Sequence, residues 1–196
     1  MVTFFKGINK KIQKAVKKDF PRIKKMFKNE KPYAVAFVTD SDCVTISLRV
    51  NTYEFLEKTD AKYAEGGDDY TTKWDSDDWG YSDDWADSGL VKISDKLSKK
   101  MDSIYDKIDK LGSDLTEDQE QKLVEEYQFT KLFLEAVTSA FQELIRSNIF
   151  GLDSEEVTYF ISMTDDEKAV EIENNSANVL NSKKVYEEFL KRKTHY

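Results

Sequence analysis

From Phe4 to Phe27 the apolar residues fall at Phe4, Phe5, Ile8, Ile12, Val16, Phe20, Ile23 and Phe27, the three-and-four spacing that lines one side of a helix. Lysines fill the other side. Pro21 can interrupt or kink this helix, because proline lacks the N–H that the ladder needs. The period then changes. YAVAFVT (33–39) and CVTISLRV (43–50) are β-branched and aromatic runs separated by Asp40, Ser41 and Asp42, which predicts a hairpin with a short turn. NTYEFLEKTDAKYA (51–64) predicts a short helix started by Asn51 or Thr52, with Glu54 placed for a capping box if Asn51 is the cap, and closed by Gly66 and Gly67.

An acidic stretch follows, and after it two long helical patterns. Leu90, Ile93, Leu97, Met101, Ile104, Ile108 and Leu111 keep the alternation up to a stop at Gly112. Thr116 with Gln119 makes a second capping box, and Leu123, Tyr127, Phe133, Val137, Phe141, Leu144 and Ile145 carry an apolar face to Phe150 and Gly151. The two are expected to pack as an antiparallel pair, with a dimerisation seam as the alternative. VTYFISMT (157–164) predicts a further strand, VEIE (170–173) is a candidate short fourth strand, and SKKVYEEFLKRK (182–193) is a terminal helix. Strands and helices come in blocks, which predicts α+β. The expected architecture is a single domain over 1–196, with a small antiparallel sheet of three to four strands. Packed with it are an N-terminal helix, two long antiparallel helices and a C-terminal helix.

Composition narrows the chemistry. A chain of 196 residues can bury roughly 70% of its extended surface, enough for a real core. The longest apolar run, YAVAFV (33–38), falls far short of the roughly 20 residues that span a bilayer. The N-terminus has no apolar stretch suited to a signal peptide. Cys43 is the only cysteine, so neither an internal disulfide nor a zinc or iron–sulfur site is expected. These features point to the cytoplasm. His195 is the only histidine and sits at a chain end, which argues against Ser-His-Asp and Cys-His catalysis. The glycines form neither GxGxxG nor a phosphate loop. A nuclease-like triplet, Glu120-Gln121-Lys122, falls on an expected exposed helix in a chain with 38 acids, where chance supplies such spacings.

The net charge of −8 is unevenly spread: residues 1–31, the basic amphipathic helix, carry +9 and the remainder −17. That remainder repels nucleic acid and attracts a basic partner. Its densest part is the Trp-rich loop 66–89, which contains SDDWGYSDDWAD (76–87) with Trp74 just before it. Tryptophans spaced five and six apart fit no single helical or strand face, so a folded loop is expected. Ser76 and Ser82 are candidate caps of two helical turns that begin with aspartates.

Asp75, Asp77 and Gly80 occupy positions one, three and six of a calcium-loop pattern. Trp79 at five and Ala86 at twelve break it, since the bidentate glutamate belongs at twelve. An irregular cation site from Asp75, Asp77, Asp78 and Asp83 stays open as an alternative, but no metal, cofactor or catalytic residue is assigned. The partner-binding candidates are Trp74, Asp75, Asp77, Asp78, Trp79, Asp83, Asp84 and Trp85: a rim of carboxylates around an aromatic anchor, the composition of a hot spot for a basic partner. The competing reading makes the same residues a loop that pins itself to the body.

YAVAFVTD with a second strand and Asn51-Thr52, then KWDSDDW, then FGLDSEEVTYFISMTDDE after the long helices, and finally NSKKVYEEFL resemble a bacterial family known only as domain of unknown function 4303. The resemblance runs from about residue 30 onward. Trp74 and Trp79 match its Trp-x-x-x-x-Trp segment, while Trp85 and the second Ser-Asp-Asp look like local additions. It implies a small intracellular bacterial domain with an α+β layout and carries over no catalytic residue. The functional expectation is a non-enzymatic binding protein, most concretely an immunity or antitoxin protein that neutralises a basic toxin through its acidic surface, with no nucleic-acid or membrane partner. The alternative is a carboxylate-based, divalent-cation-dependent enzyme beside the same loop. A third route sends the basic first helix to nucleic acid or membrane.

Overall fold

The computed structural model describes residues 1–66, 71–110, 116, 119, 123 and 125–192. Helix α1 (Val2–Met26) runs through Pro21 without a break. Pro21 lies on the solvent side, where water can bond the carbonyl that loses its helical partner. The opposite side, with Phe5, Ile8, Ile12, Val16, Phe20 and Ile23, is buried. α1 is therefore an internal spine with one wet face.

Four strands form one sheet: β1 (Pro32–Thr39), β2 (Ser47–Thr52), β3 (Tyr81–Ser82) and β4 (Thr158–Met163), in the order β3-β2-β1-β4. β1 pairs antiparallel with β2, Val35 opposite Val50, and parallel with β4, Val35 opposite Tyr159. β2 pairs antiparallel with β3. The α+β layout is as expected, but the sheet is mixed, because β4 enters beside β1 and not at the end of a meander. β2 also begins four residues later than its apolar pattern suggests. Cys43 has φ of 57°, and that left-handed turn residue precludes continuous strand geometry.

The remaining helices among the described residues are α2 (Tyr53–Glu65), α3 (Val91–Asp109), α4 (Phe129–Arg146), α5 (Ala169–Leu180) and α6 (Lys183–Phe189). None of the described helices is long and apolar enough to cross a membrane. VEIE is not a strand: it lies in α5, where Ala169, Glu173, Ser176, Ala177 and Leu180 are buried at helical spacing. Four residues are too few for a period of two to be told from one of 3.6. The cap of α2 is Thr52, whose hydroxyl accepts from the Phe55 N–H at 3.1 Å; Glu54 turns away to accept from the Lys31 N–H. α4 packs along α1, with Phe5 edge-on to Phe129 at 5.1 Å. The Thr116 N–H bonds Gln119 Oε1 at 2.9 Å, half of the expected capping box. The stops at Gly67 and at Leu111 and Gly112, the Glu120-Gln121-Lys122 triplet and His195 lie outside the described residues.

Both faces of the sheet are covered, which is why β1 and β4 read as continuous apolar runs and not as alternations. On one face Val35, Phe37, Leu48, Val50, Tyr159, Ile161 and Met163 join the cores of α1, α3 and α4. On the other, Ala34, Ala36, Val38 and Phe160 lie under Trp79, Ala177 and Phe189, with Trp74 packed alongside. Alanines on β1 leave room for indole rings. The acidic loop thus supplies part of a structural layer that the helices do not complete.

Polar side chains close both edges. Along β4, Asn181 accepts from the Tyr159 N–H at 2.8 Å and donates to the Tyr159 carbonyl at 2.7 Å, and Ser176 Oγ accepts from the Ile161 N–H. Along β2, Asp83 Oδ1 accepts from the Leu48 N–H at 2.8 Å, and the Asp83 N–H donates to the Leu48 carbonyl. At β4 these groups take the place of an absent neighbouring strand, and at β2 they extend the short pairing with β3.

Candidate functional site

The loop is fastened at its start by α2: Asp60 accepts from the Thr72 N–H and the Thr71 hydroxyl at 2.9 and 2.8 Å. The chain then lays Trp74 edge-on to Tyr33, Phe160 and Phe189. A single 3₁₀ turn follows over Ser76–Asp78, capped by Asp75 and not by Ser76, with Asp75 accepting from the Asp77 N–H. Ser76 is buried, and its carbonyl accepts from Arg49 Nη1 at 2.7 Å. Trp79, only 7% exposed, sits edge-on to Tyr33 and Phe160. Tyr33 in turn donates to the Lys73 carbonyl and accepts from buried Asn51, which explains why Asn51 belongs with the tryptophan segment. Burial raises the Tyr33 hydroxyl above its ordinary pKa.

The second Ser-Asp-Asp-Trp is built differently. Ser82 lies in β3 and donates to Asp84, so the second capped turn expected there is an edge strand instead. Asp83 is 2% exposed and also accepts from the Ser88 hydroxyl at 2.5 Å. Burial pushes its carboxyl up to about 6, against the pull of Ser88 and the Leu48 N–H. Trp85 is half-buried beneath the Arg22 guanidinium, 4.1 Å from its ring centre, and Arg22 also pairs with Asp87 at 3.5 Å. The loop ends where buried Asp19 of α1 accepts from the Gly89 N–H at 2.7 Å. A methyl group at Gly89 would meet the Ala15 Cβ at 2.5 Å, so only glycine permits this approach.

The eight candidate residues therefore divide. Trp79 and Asp83 are internal, Trp74 and Trp85 are half-buried supports, and Asp75, Asp77, Asp78 and Asp84 carry carboxylates at or near the surface. Two residues that sequence reasoning missed belong with them. Arg49 bridges β2 to the turn through Asp77 Oδ1 at 3.0 Å. Asp165, left-handed at φ of 58° just past β4, adds its charge from the parallel strand's end. No local signal marks either, because it is the sheet register that places them.

Asp77 shows the resulting electrostatics: partial burial raises its carboxyl above the ordinary range, and Asp75, Asp165 and Asp78 raise it further, with Arg49 opposing. Its side chain is still 58% exposed. Nε of Arg49 and Nε1 of Trp79 are buried with no acceptor among the described residues. No three His, Cys, Asp or Glu side chains among those residues are grouped so as to share a metal ion.

Beside this surface, Glu173 and Arg192 form a buried pair at 2.9 Å, each side chain 3% exposed. Ser162 donates to Glu173, Asn174 accepts from Arg192, and Arg192 stacks 3.8 Å from the Phe189 ring centre. Burial raises the Glu173 carboxyl, and Arg192 opposes the shift. Cys43 is buried, its thiol pushed up to about 12 by desolvation, and such a thiol is a poor nucleophile.

The family model described as "Domain of unknown function (DUF4303)" matches residues 12–182. No curated protein and no solved structure matches the chain.

Proposed function

The chain belongs to the domain of unknown function 4303 family, and from that premise we propose that it is a non-enzymatic binding protein whose acidic rim receives a basic protein partner. The observation that supports this reading is the gathering of Asp75, Asp77 and Asp78 on one turn with Asp165 near it and Arg49 as the opposing cation; the Asp77 carboxyl, raised first by partial burial, is raised further by these three neighbours. Like charges gathered on a rigid turn destabilise one another, and an incoming cation relieves that repulsion. Trp79 and Asp83 keep the turn fixed, so little conformational entropy is lost on binding. The most concrete form is an immunity or antitoxin protein that covers the basic active surface of a cognate bacterial toxin and works in the cytoplasm.

The test uses the toxin-like product of a neighbouring reading frame. Co-expression with this chain restores growth, and the purified pair binds with an affinity that falls as salt rises. None of Asp77, Asp78 and Asp84 is buried; the triple variant Asp77→Lys, Asp78→Lys and Asp84→Lys gives up the Arg49 ion pair and the bonds from Tyr63 and Ser82, so its melting curve is compared with that of the native chain before affinity is read. Each reversed charge that faced a cation costs at least about 1.5 kcal/mol, roughly tenfold in affinity. Asp83 is left alone because its loss would disturb the fold. Unchanged affinity in the triple variant would overturn the site, and no protection from any neighbouring product would overturn the immunity reading.

A further inference from the structure

Between Lys6 and Lys25 every solvent-exposed position of α1 is lysine or arginine except Pro21. No acid interrupts this face. At 1.5 Å per residue the ridge is roughly 29 Å long, with Lys6, Lys10, Lys14 and Lys17 placing one cation on nearly every turn. Among the described residues, none of these four has an acidic partner; on the exposed face only Lys18 and Arg22 do, with Asp19 and Asp87. Lys24 spends its donors on the Phe150 and Gly151 carbonyls.

The arrangement opposes helix stability. Lys6 and Lys10, Lys10 and Lys14, and Lys14 and Lys18 are like-charged neighbours four apart, which destabilise a helix. The first turn holds no acid to meet the positive end of the helix dipole. α3 supplies the internal comparison: it is similarly amphipathic and likewise has no acid in its first turn, yet Asp95, Asp102, Asp106 and Asp109 are interleaved with its lysines. A helix whose only task is to keep one face wet is built like α3. α1 concentrates cations in a chain of net charge −8, at a cost to its own stability, and a binding role accounts for that.

The surroundings select the partner. The apolar face of α1 is locked into the core, so the helix cannot roll or insert into a bilayer as an interfacial helix must. Along the Arg22 flank the exposed carboxylate of Asp87 borders the ridge, and a broad anionic plane would meet it. A linear polyanion one helix wide would not. Lysines contact phosphates without reading bases, and no exposed aromatic stands on the ridge between Lys6 and Lys25 to stack on bases. Net charge argues against nucleic acid only when it is evenly spread, and here it is segregated. We propose that the lysine ridge of α1 binds the phosphate backbone of nucleic acid without sequence preference.

Fluorescence anisotropy of the full chain with labelled single-stranded and duplex oligonucleotides of mixed sequence tests this, with phosphatidylglycerol vesicles as the competing surface. Binding tightens as salt falls, with a log–log slope of roughly −3 to −4 for four phosphate contacts. The variant K6Q/K10Q/K14Q/K17Q keeps its helix, because glutamine is a good helix former, and its melting temperature is equal or higher. It loses about 100-fold or more in affinity at low salt, and its slope flattens by about 3. No salt-dependent binding by the native chain, undiminished binding by the variant, or preference for the vesicles would each overturn the proposal. The Asp77, Asp78 and Asp84 reversals spare this binding, and the four glutamines spare the basic partner, so either reading can fail without the other.

Discussion

At the scale of single residues, Asp83 shows how an identical short motif takes two unrelated roles. In the first Ser-Asp-Asp-Trp the equivalent position is Asp77, exposed and crowded by other carboxylates. In the second it is an internal acceptor that joins β2 to the start of α3. Because the folded carboxyl is raised from 3.8 to about 6, folding takes up a proton between those values. Its contribution to stability is therefore fully present below about pH 4 and is lost as pH rises through about 6. Urea unfolding of the native chain and of Asp83→Asn at pH 4.5 and 7.5 checks this: the native chain loses about 2 kcal/mol relative to the variant across that interval. A difference that does not vary with pH would show that the carboxyl titrates in its ordinary range. Nothing in the spelling of the two repeats separates these roles. The difference arises from Leu48, which only the pairing of β2 with β3 brings to Asp83, and from Ser88, which lies close along the chain.

At the scale of elements, periodicity is informative where an element has one wet face and silent where both faces are covered. The stripe of α1 from Phe5 to Ile23 and that of α3 from Ile93 to Ile108 can be read directly, since three-and-four spacing and burial coincide. β1 and β4 are visible as apolar runs, but their parallel pairing is not, because local sequence carries no record of which neighbour a doubly covered strand will take. VEIE misleads for a related reason: Glu173 is buried against Arg192 and Ser162, so polarity there does not mark the solvent side. The family-like Trp74 and Trp79 could be recognised as anchors, whereas Asp165 and Arg49 could not be joined to them without the register. The edge of β4 makes the most specific prediction at this scale. Asn181→Ala leaves the Tyr159 N–H and carbonyl without their side-chain partner, which destabilises the chain by about 2–4 kcal/mol. It also opens a strand edge, so light scattering at raised temperature should show earlier association than in the native chain.

At the scale of the whole molecule, charge separation and core architecture meet in α1. The helix contributes its inner stripe to the larger core, its Asp19 to the end of the acidic loop, and its Arg22 to Trp85 and Asp87. Removing residues 1–28 therefore abolishes cooperative unfolding, seen as loss of near-ultraviolet circular dichroism and of a sharp melting transition. A folded remainder would instead make α1 an appendage. The basic segment and the acidic loop meet at Arg22 and Asp87, while exposed charges on the two surfaces farther apart than the Debye length of about 8 Å at physiological salt are screened from one another.

The position of β4 also sets a timetable. Ala34 of β1 cannot meet Thr158 until most of the chain has left the ribosome, on the order of ten seconds later at about 5–20 residues per second. Through that interval YAVAFV presents one unpaired edge, which α1, packed on a face of the sheet, does not cover, and the nascent protein depends on chaperones to avoid associating with its own copies.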